Sequence, residues 1–426
     1  MTTTHGKVRA AGLALLLTAA ASAGGAGSAA AADGSTVQLP VLSARLDADA
    51  TCTAGSDQRA TDVPWEQVSL QLSRTWPFAS GTGVTVGVVD TGVSSAAPAL
   101  KGRVTAVGDA GTDCVGHGTF VAGLIGAAVQ DGVRFAGVAQ QARILAVRGS
   151  DARGAVTAER VADGIRAAVD GGAKVVTVSA ALGSDSAALR SAVALAAKKD
   201  VLVVAAAVPD TPATATSATD SPPARDYYPA ADDGVLSVLD VDVDGKRPTG
   251  AYTTSGAAIA APGDGVVGIG PKKAGHYIGS GASLAAGFVA GAAALVRSVH
   301  PDLTAAQTAT LLRTSAYPAD VPRLDPYAAV TSVLTGAAAA PARGGSDTPV
   351  HLPEDKAAGP LRRALWPASA GLAVIIAVVW LGLILPRGRR LGWRPSRPDT
   401  AAGPEGTEGE GSSVPVGAGV QGTAEN

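Results

Sequence analysis

Three short segments carry residues that together can do nucleophilic chemistry. The first, Val88-Val89-Asp90-Thr91-Gly92, ends a β-branched run in a carboxylate. The second, Asp113-Cys114-Val115-Gly116-His117-Gly118-Thr119, sets a histidine between two glycines at the start of an apolar run. The third, Gly279-Ser280-Gly281-Ala282-Ser283-Leu284, brings Ser283 to the point where a glycine-rich turn enters a run of small residues. A serine hydroxyl is a poor nucleophile until a base takes its proton, and the base in turn needs an acid to hold its tautomer. Histidine, with an ordinary pKa of roughly 6.5, suits the role of base. A serine at a helix start also turns its own N–H toward a developing oxyanion. Each segment alone has a plainer reading: a strand-end turn at Asp90, a structural Gly-His-Gly turn, and a helix cap at Ser283. The order Asp, His, Ser, each in its own local context, is more specific than any one of them.

These residues need a scaffold, and the periodicity supplies one. Val84 to Val89, Arg143 to Val147, Lys174 to Ser179 and Val201 to Ala207 read as short buried strands. Val235 to Val241 and Ile259 to Ala261 read as further strands. Helical spacing falls between or after them at Thr157 to Asp170, Ser186 to Lys199, Ala282 to Val299 and Thr304 to Thr314. Alternating strands and helices predict an α/β fold, a mostly parallel sheet with helices on both faces. Ligands of such sheets sit beyond the carboxyl ends of the strands, which puts Asp90, Ser179 and the residues after Ala207 on one rim.

The two ends have a different character. Residues 1–32 have a basic start at His5, Lys7 and Arg9, then an apolar stretch from Ala10 to Ala21, then small residues to Ala32. That pattern reads as a secretory signal peptide. A retained anchor is the alternative, against which stands a stretch shorter than the ~20 residues a span needs. Residues 364–385 are apolar almost throughout and are followed by Arg387, Arg389, Arg390, Arg394 and Arg397. They read as one C-terminal transmembrane helix with its basic flank in the cytoplasm. The expected order is then a signal at 1–32, an arm at 33–80, a peptidase-like domain at 81–335, a linker at 336–363, the span, and a cytoplasmic segment and tail at 386–426. In the arm, Trp65 and Trp76 are expected to act as packing anchors.

A net charge of −2 gives no reason to expect nucleic-acid binding. The pair Cys52 and Cys114 favours a disulfide in an exported chain, tying the arm to the residue three before His117; two free buried thiols are the alternative. Two cysteines and scattered histidines suggest no metal site, and no motif asks for a cofactor. His276 and His300 read as surface or capping residues. The alternation Asp240-Val241-Asp242-Val243-Asp244 reads as a strand with a solvated acidic face.

Over about residues 60–335 the chain resembles the subtilisin-like serine peptidases, on Val88-Val89-Asp90-Thr91-Gly92-Val93, Gly116-His117-Gly118-Thr119 to Gly123, and Gly281-Ala282-Ser283-Leu284-Ala285-Ala286, with Ala261-Pro262-Gly263 before the last. The signal, the cysteine-bearing arm, Asp-Cys-Val-Gly-His-Gly-Thr and the C-terminal span together resemble the mycosins, membrane-anchored proteases of type VII secretion systems. The resemblance implies a subtilisin-like fold, an Asp90–His117–Ser283 triad, a protein or peptide substrate, and association with a secretion membrane complex.

The chain departs from the family's pattern in its cleft. Where the family has Ala-Ala-Gly-Asn, with the asparagine donating to the oxyanion, this chain has Ala206-Ala207-Val208-Pro209-Asp210, and Pro209 falls at the asparagine's place. The substrate strand, usually Asn-x-Ser-Leu-Gly, is Thr177-Val178-Ser179-Ala180-Ala181-Leu182-Gly183, making Ser179, Ala180 and Ala181 candidate substrate-binding residues. Ala282 and Gly287 replace the usual threonine and proline around the serine. Three readings follow: an active serine endopeptidase, a pseudoprotease scaffold of the secretion complex, and a peptide-binding receptor.

Overall fold

A computed structural model describes residues 38–210, 224–332 and 371–384, with 386 and 390. The expected signal at 1–32, the linker at 336–363 and most of the Pro209 to Tyr228 loop lie outside these residues. The chain divides into two compact units at Ala340/Pro341.

The first unit is built on a parallel sheet of seven strands. In chain order they are β1 (Thr85–Asp90), β2 (Val104–Ala106), β3 (Arg143–Arg148), β4 (Val175–Val178), β5 (Leu202–Ala206), β6 (Val235–Val241) and β7 (Ile259–Pro262). Their order across the sheet is β2-β3-β1-β4-β5-β6-β7, every adjacent pair parallel. From β1 the chain goes to the edge strand β2, returns inward to β3 beside β1, then crosses to β4 and runs outward on the other side, so the order reverses between β1 and β4. A crevice opens at such a reversal beyond the strands' carboxyl ends, and Asp90 ends β1 there while Ser179 follows β4.

Both faces of the sheet are covered, which is why its strands read as continuous apolar runs. Val86 and Val88 of β1 pack with α3 (His117–Gly126) and α6 (Ala282–Val299) in one core. Val89 points the other way, into a second core with α4 (Ala158–Asp170) and α5 (Ala187–Lys198). Thr157, Ser186 and Thr304 cap the helices they precede with their side-chain oxygens. Helix α6 is long and apolar enough to cross a membrane, but it is buried as the central core helix. A short antiparallel pair, β8 (Val266–Ile269) and β9 (His276–Gly279), was not marked by the sequence pattern.

The arm is more structured than its lack of periodicity suggests. It runs beside β9, where Ile278 N donates to Pro40 O and Leu42 N to Ile278 O. It then forms two short helices, α1 (Trp65–Ser69) and α2 (Leu72–Thr75). The Trp65 indole donates to Gly265 O at 3.1 Å and that of Trp76 to Val138 O at 3.0 Å. Cys52 and Cys114 are joined by a disulfide, and Thr53 N donates to Cys114 O alongside it. His276, expected at the surface, is buried: its Nδ1 accepts from Ala60 N, and its ring meets Phe135 edge-on. His300 does cap α6. The acidic alternation is not a solvated strand face either, because β6 ends at Val241 and Asp240 is buried against Arg247.

In the second unit, Gly371–Ile384 is an apolar helix whose Leu372, Ile375, Ile376 and Leu383 are exposed. It falls within the expected span at 364–385, whose remaining residues lie outside those described.

Candidate active site

Asp90, His117 and Ser283 come from three elements and meet at the rim of the sheet. His117 Nδ1 lies 2.8 Å from Asp90 Oδ2 and 3.0 Å from Oδ1. On the other side of the ring, Nε2 lies 3.0 Å from Ser283 Oγ. All three are buried.

Local backbone explains why the chain permits this approach. Gly116 precedes α3 with φ +94°, which favours glycine. A side chain at Gly118 would overlap the carbonyl of Gly92, so only glycine lets α3 settle against the turn after β1. Asp113 then ties the two together. Its carboxylate accepts from Gly116 N at 2.7 Å, from Thr119 N at 2.9 Å, and from the hydroxyls of Thr119 and Thr91 at 2.7 and 2.9 Å. It supplies the acceptor that the start of α3 lacks, since Gly116 has no side chain to cap with. Its position four residues before the helix start at His117 was a signal available in the sequence.

Asp90 is held as firmly. Thr91 N donates to its Oδ1 at 2.6 Å and the Ser179 hydroxyl donates to its Oδ2. Burial would raise its pKa, but the facing His117 and these donors hold it below the ordinary aspartate value. Burial would likewise depress His117, yet Asp90 and Asp210, one beside each ring nitrogen, hold it well above the usual histidine range. Ser179, expected to bind substrate, lines the cleft and turns its hydroxyl to Asp90. Ala180 and Ala181 likewise line the cleft, an opening of about 370 Å³ walled also by Gly149, Ala155 and Val156. Two arm residues, Ala44 and Arg45, complete that wall.

The residue beside Ser283 is Asp210, not Pro209. Val208 is buried in the core, and the first polar side chain beyond β5 is Asp210. Its Oδ1 accepts from Ser283 N at 3.0 Å and its Oδ2 from Ser283 Oγ at 2.7 Å. His117 Nε2 is 3.6 Å from the same Oδ2. Among the described residues no cluster of metal-ligating side chains is present.

With the site assembled, the relatives fall into place. Residues 81–348 match the subtilase family, Peptidase S8, and the chain belongs to that family. Mycosin-3 of Mycobacterium tuberculosis (strain ATCC 25618 / H37Rv) is 32% identical across 82% of this chain and 89% of its own length. Thermitase of Thermoactinomyces vulgaris is 34% identical across 54% of this chain and 80% of its own. Among solved structures, the MycP3 protease from the type VII (ESX-3) secretion system aligns with a TM-score of 0.56 at 30% identity, covering 66% of this chain and 92% of that one. The family and these protease relatives place the chain among the serine endopeptidases.

Proposed function

We propose that this chain is a membrane-anchored, extracytoplasmic serine endopeptidase of a type VII secretion system, with Ser283 as nucleophile, His117 as base and Asp90 as the acid that orients it. The observation that carries the reading is the continuous line from Asp90 Oδ2 through the imidazole to Ser283 Oγ, with spacings of 2.8 and 3.0 Å. In that geometry Oγ attacks the scissile carbonyl carbon and its proton passes to His117 Nε2. The carbonyl π pair moves onto oxygen, and collapse of the adduct expels the amine, which takes the proton from Nε2. Water then repeats the cycle on the acyl-enzyme. Asp90 stays ionised throughout and stabilises the imidazolium. Alanines 155, 180 and 181 give the cleft a small apolar lining suited to a peptide side chain of modest size.

Secretion association is supported by the likeness to MycP3, a protease from such a system. Anchoring is supported by the apolar, exposed helix Gly371–Ile384 and the arginines after it. A fluorophosphonate probe tests the triad: full-length protein in detergent labels at Ser283, and His117→Ala abolishes labelling. Folded protein that never labels defeats it.

A second reading, a scaffold of the secretion complex that does not cleave, is favoured by Asp210, because it takes the N–H an oxyanion needs. In cells lacking the native gene, normal secretion by Ser283→Ala supports the scaffold, and loss of secretion supports cleavage.

A further inference from the structure

Resting on the triad reading above, we propose that Asp210 sets the resting state of the site: its carboxylate sits in the oxyanion position and holds the nucleophile's proton until a substrate carbonyl displaces it. Two oxygens of one carboxylate engage both donors that acyl transfer uses, the Ser283 N–H and the Ser283 hydroxyl. Asp210 therefore does not flank the oxyanion site as a donor; it fills it. A Cβ built on Gly281 would overlap the same carboxylate, so the group lies directly over the turn that presents the serine.

Ser283 has one hydroxyl proton and two neighbouring acceptors. Asp210 Oδ2 at 2.7 Å is nearer than His117 Nε2 at 3.0 Å, and it is anionic. An ionised acceptor makes the stronger bond. The proton points to Asp210, and the imidazole, charged between two carboxylates, donates from Nε2 to the lone pair of Oγ. That arrangement runs the relay in reverse: the base is loaded and the nucleophile is not activated. Burial agrees, since Ser283 is 0% exposed. The Asp210 side chain, 19% exposed, forms part of the cleft wall and is reached first from solvent.

The other charges nearby do not hold Asp210 in another place. Among the described residues its ion-pair partner is His117. Asp240, buried behind it, is already paired with Arg247, and Asp90 and Asp113 lie beyond the imidazole with their own donors. A peptide carbonyl entering the cleft competes for Ser283 N–H. As Asp210 leaves, the imidazole loses one of its two negative neighbours and releases its Nε2 proton to water in the open cleft; the serine hydroxyl then turns to donate to the neutral Nε2, and the transition-state oxygen takes the vacated Ser283 N–H. With no second donor seen among the described residues and a carboxylate nearby, turnover is expected to be slow. Losing one oxyanion donor in this class costs about 10²–10³ in rate.

The test is the rate of fluorophosphonate labelling at Ser283 in the full-length chain, comparing wild type, Asp210→Asn and Asp210→Ala, with Ser283→Ala as blank and melting temperature as the fold check. Labelling forms the Oγ–P bond, expels fluoride, passes the serine proton to His117 and needs the same oxyanion N–H. Asp210→Asn keeps the shape, removes the charge and adds an N–H donor; it is expected to label at least about tenfold faster. Asp210→Ala frees Ser283 N–H without adding a donor, and is expected to fall between it and wild type. If one variant fails to fold, the other decides. Wild-type labelling that depends on His117, with neither variant faster, overturns the resting-state role and leaves the triad standing. A folded variant slower than wild type also overturns it, because the carboxyl would then be assisting the reaction. If neither wild type nor a folded variant labels, the triad reading fails and takes this one with it.

Discussion

The imidazole of His117 stands between two aspartates, and they differ in everything but chemistry. Asp90 faces Nδ1, at the end of a central strand, buried, with Thr91 N and the Ser179 hydroxyl fixing its oxygens. Asp210 faces Nε2 from the segment after β5, partly open to the cleft, with its donors supplied by the nucleophile itself. On the proposed triad, one carboxylate stabilises positive charge on the ring from outside the path of the reaction and the other from within it. The proposal therefore makes a carboxylate's effect on catalysis depend on which side of the ring it occupies.

That contrast can be broken from either end. The largest effect is expected at the shared ring: His117→Ala, or Ser283→Ala, should cut kcat against a peptide substrate by about 10⁶, measured by product release. Asp90→Asn should keep the geometry and lose about 10⁴, because the amide no longer fixes the tautomer. An equal loss from Asp90→Asn and Asp210→Asn would erase the distinction drawn here. Ser179→Ala removes one charge-assisted bond to Asp90 and should cost about tenfold, in kcat more than in KM.

The pH profile separates the two sides more finely. The base must be neutral, and His117 is held well above the usual histidine range, so activity should fall off on the acid side from a higher pH than an ordinary histidine gives. Asp210→Asn removes one of the two negative neighbours and should move that limb to lower pH. A limb that stays in place would mean His117 does not feel Asp210 as a charge.

A third carboxyl has no cationic partner among the described residues. Glu66, on α1 of the arm, is 0% exposed; its Oε1 accepts from Val267 N at 2.9 Å and its Oε2 has no hydrogen-bond partner among the described residues. Burial pushes its pKa up to about 7. The folded chain then binds this proton more tightly than the unfolded one. Its contribution to stability is full below the ordinary value of 4.5 and is lost as pH rises through about 7. The shift corresponds to about 3 kcal/mol. Melting temperature should fall between pH 5 and 8, and Glu66→Gln should flatten that fall.

The Asp90, His117 and Ser283 segments were legible because each carries its own local signature: a β-branched run, a glycine-flanked helix start, and a glycine turn into small residues. The strands were legible because a sheet covered on both faces leaves apolar runs in sequence. β8 and β9 were not, since four-residue strands show too little alternation to stand out. The arm helices α1 and α2 are too short for helical periodicity, and tertiary packing fixes them. The contact of Asp210 with Ser283 was not legible, because the sequence sets Pro209 at the asparagine's place and only the fold brings the next side chain onto Ser283. Ser179 was legible as a cleft residue but not as a partner of Asp90, because only the pairing of β4 with β1 brings the two side by side.

Ala44 and Arg45 belong to the arm, yet they wall the cleft beside Asp90 and His117. The region matching the peptidase family begins only at residue 81. A peptide in the cleft would therefore meet the arm as well as the catalytic body, so the proposed activity predicts that the arm shares in setting its sequence preference. Grafting another relative's arm onto this catalytic body would transplant part of its selectivity while leaving the triad untouched.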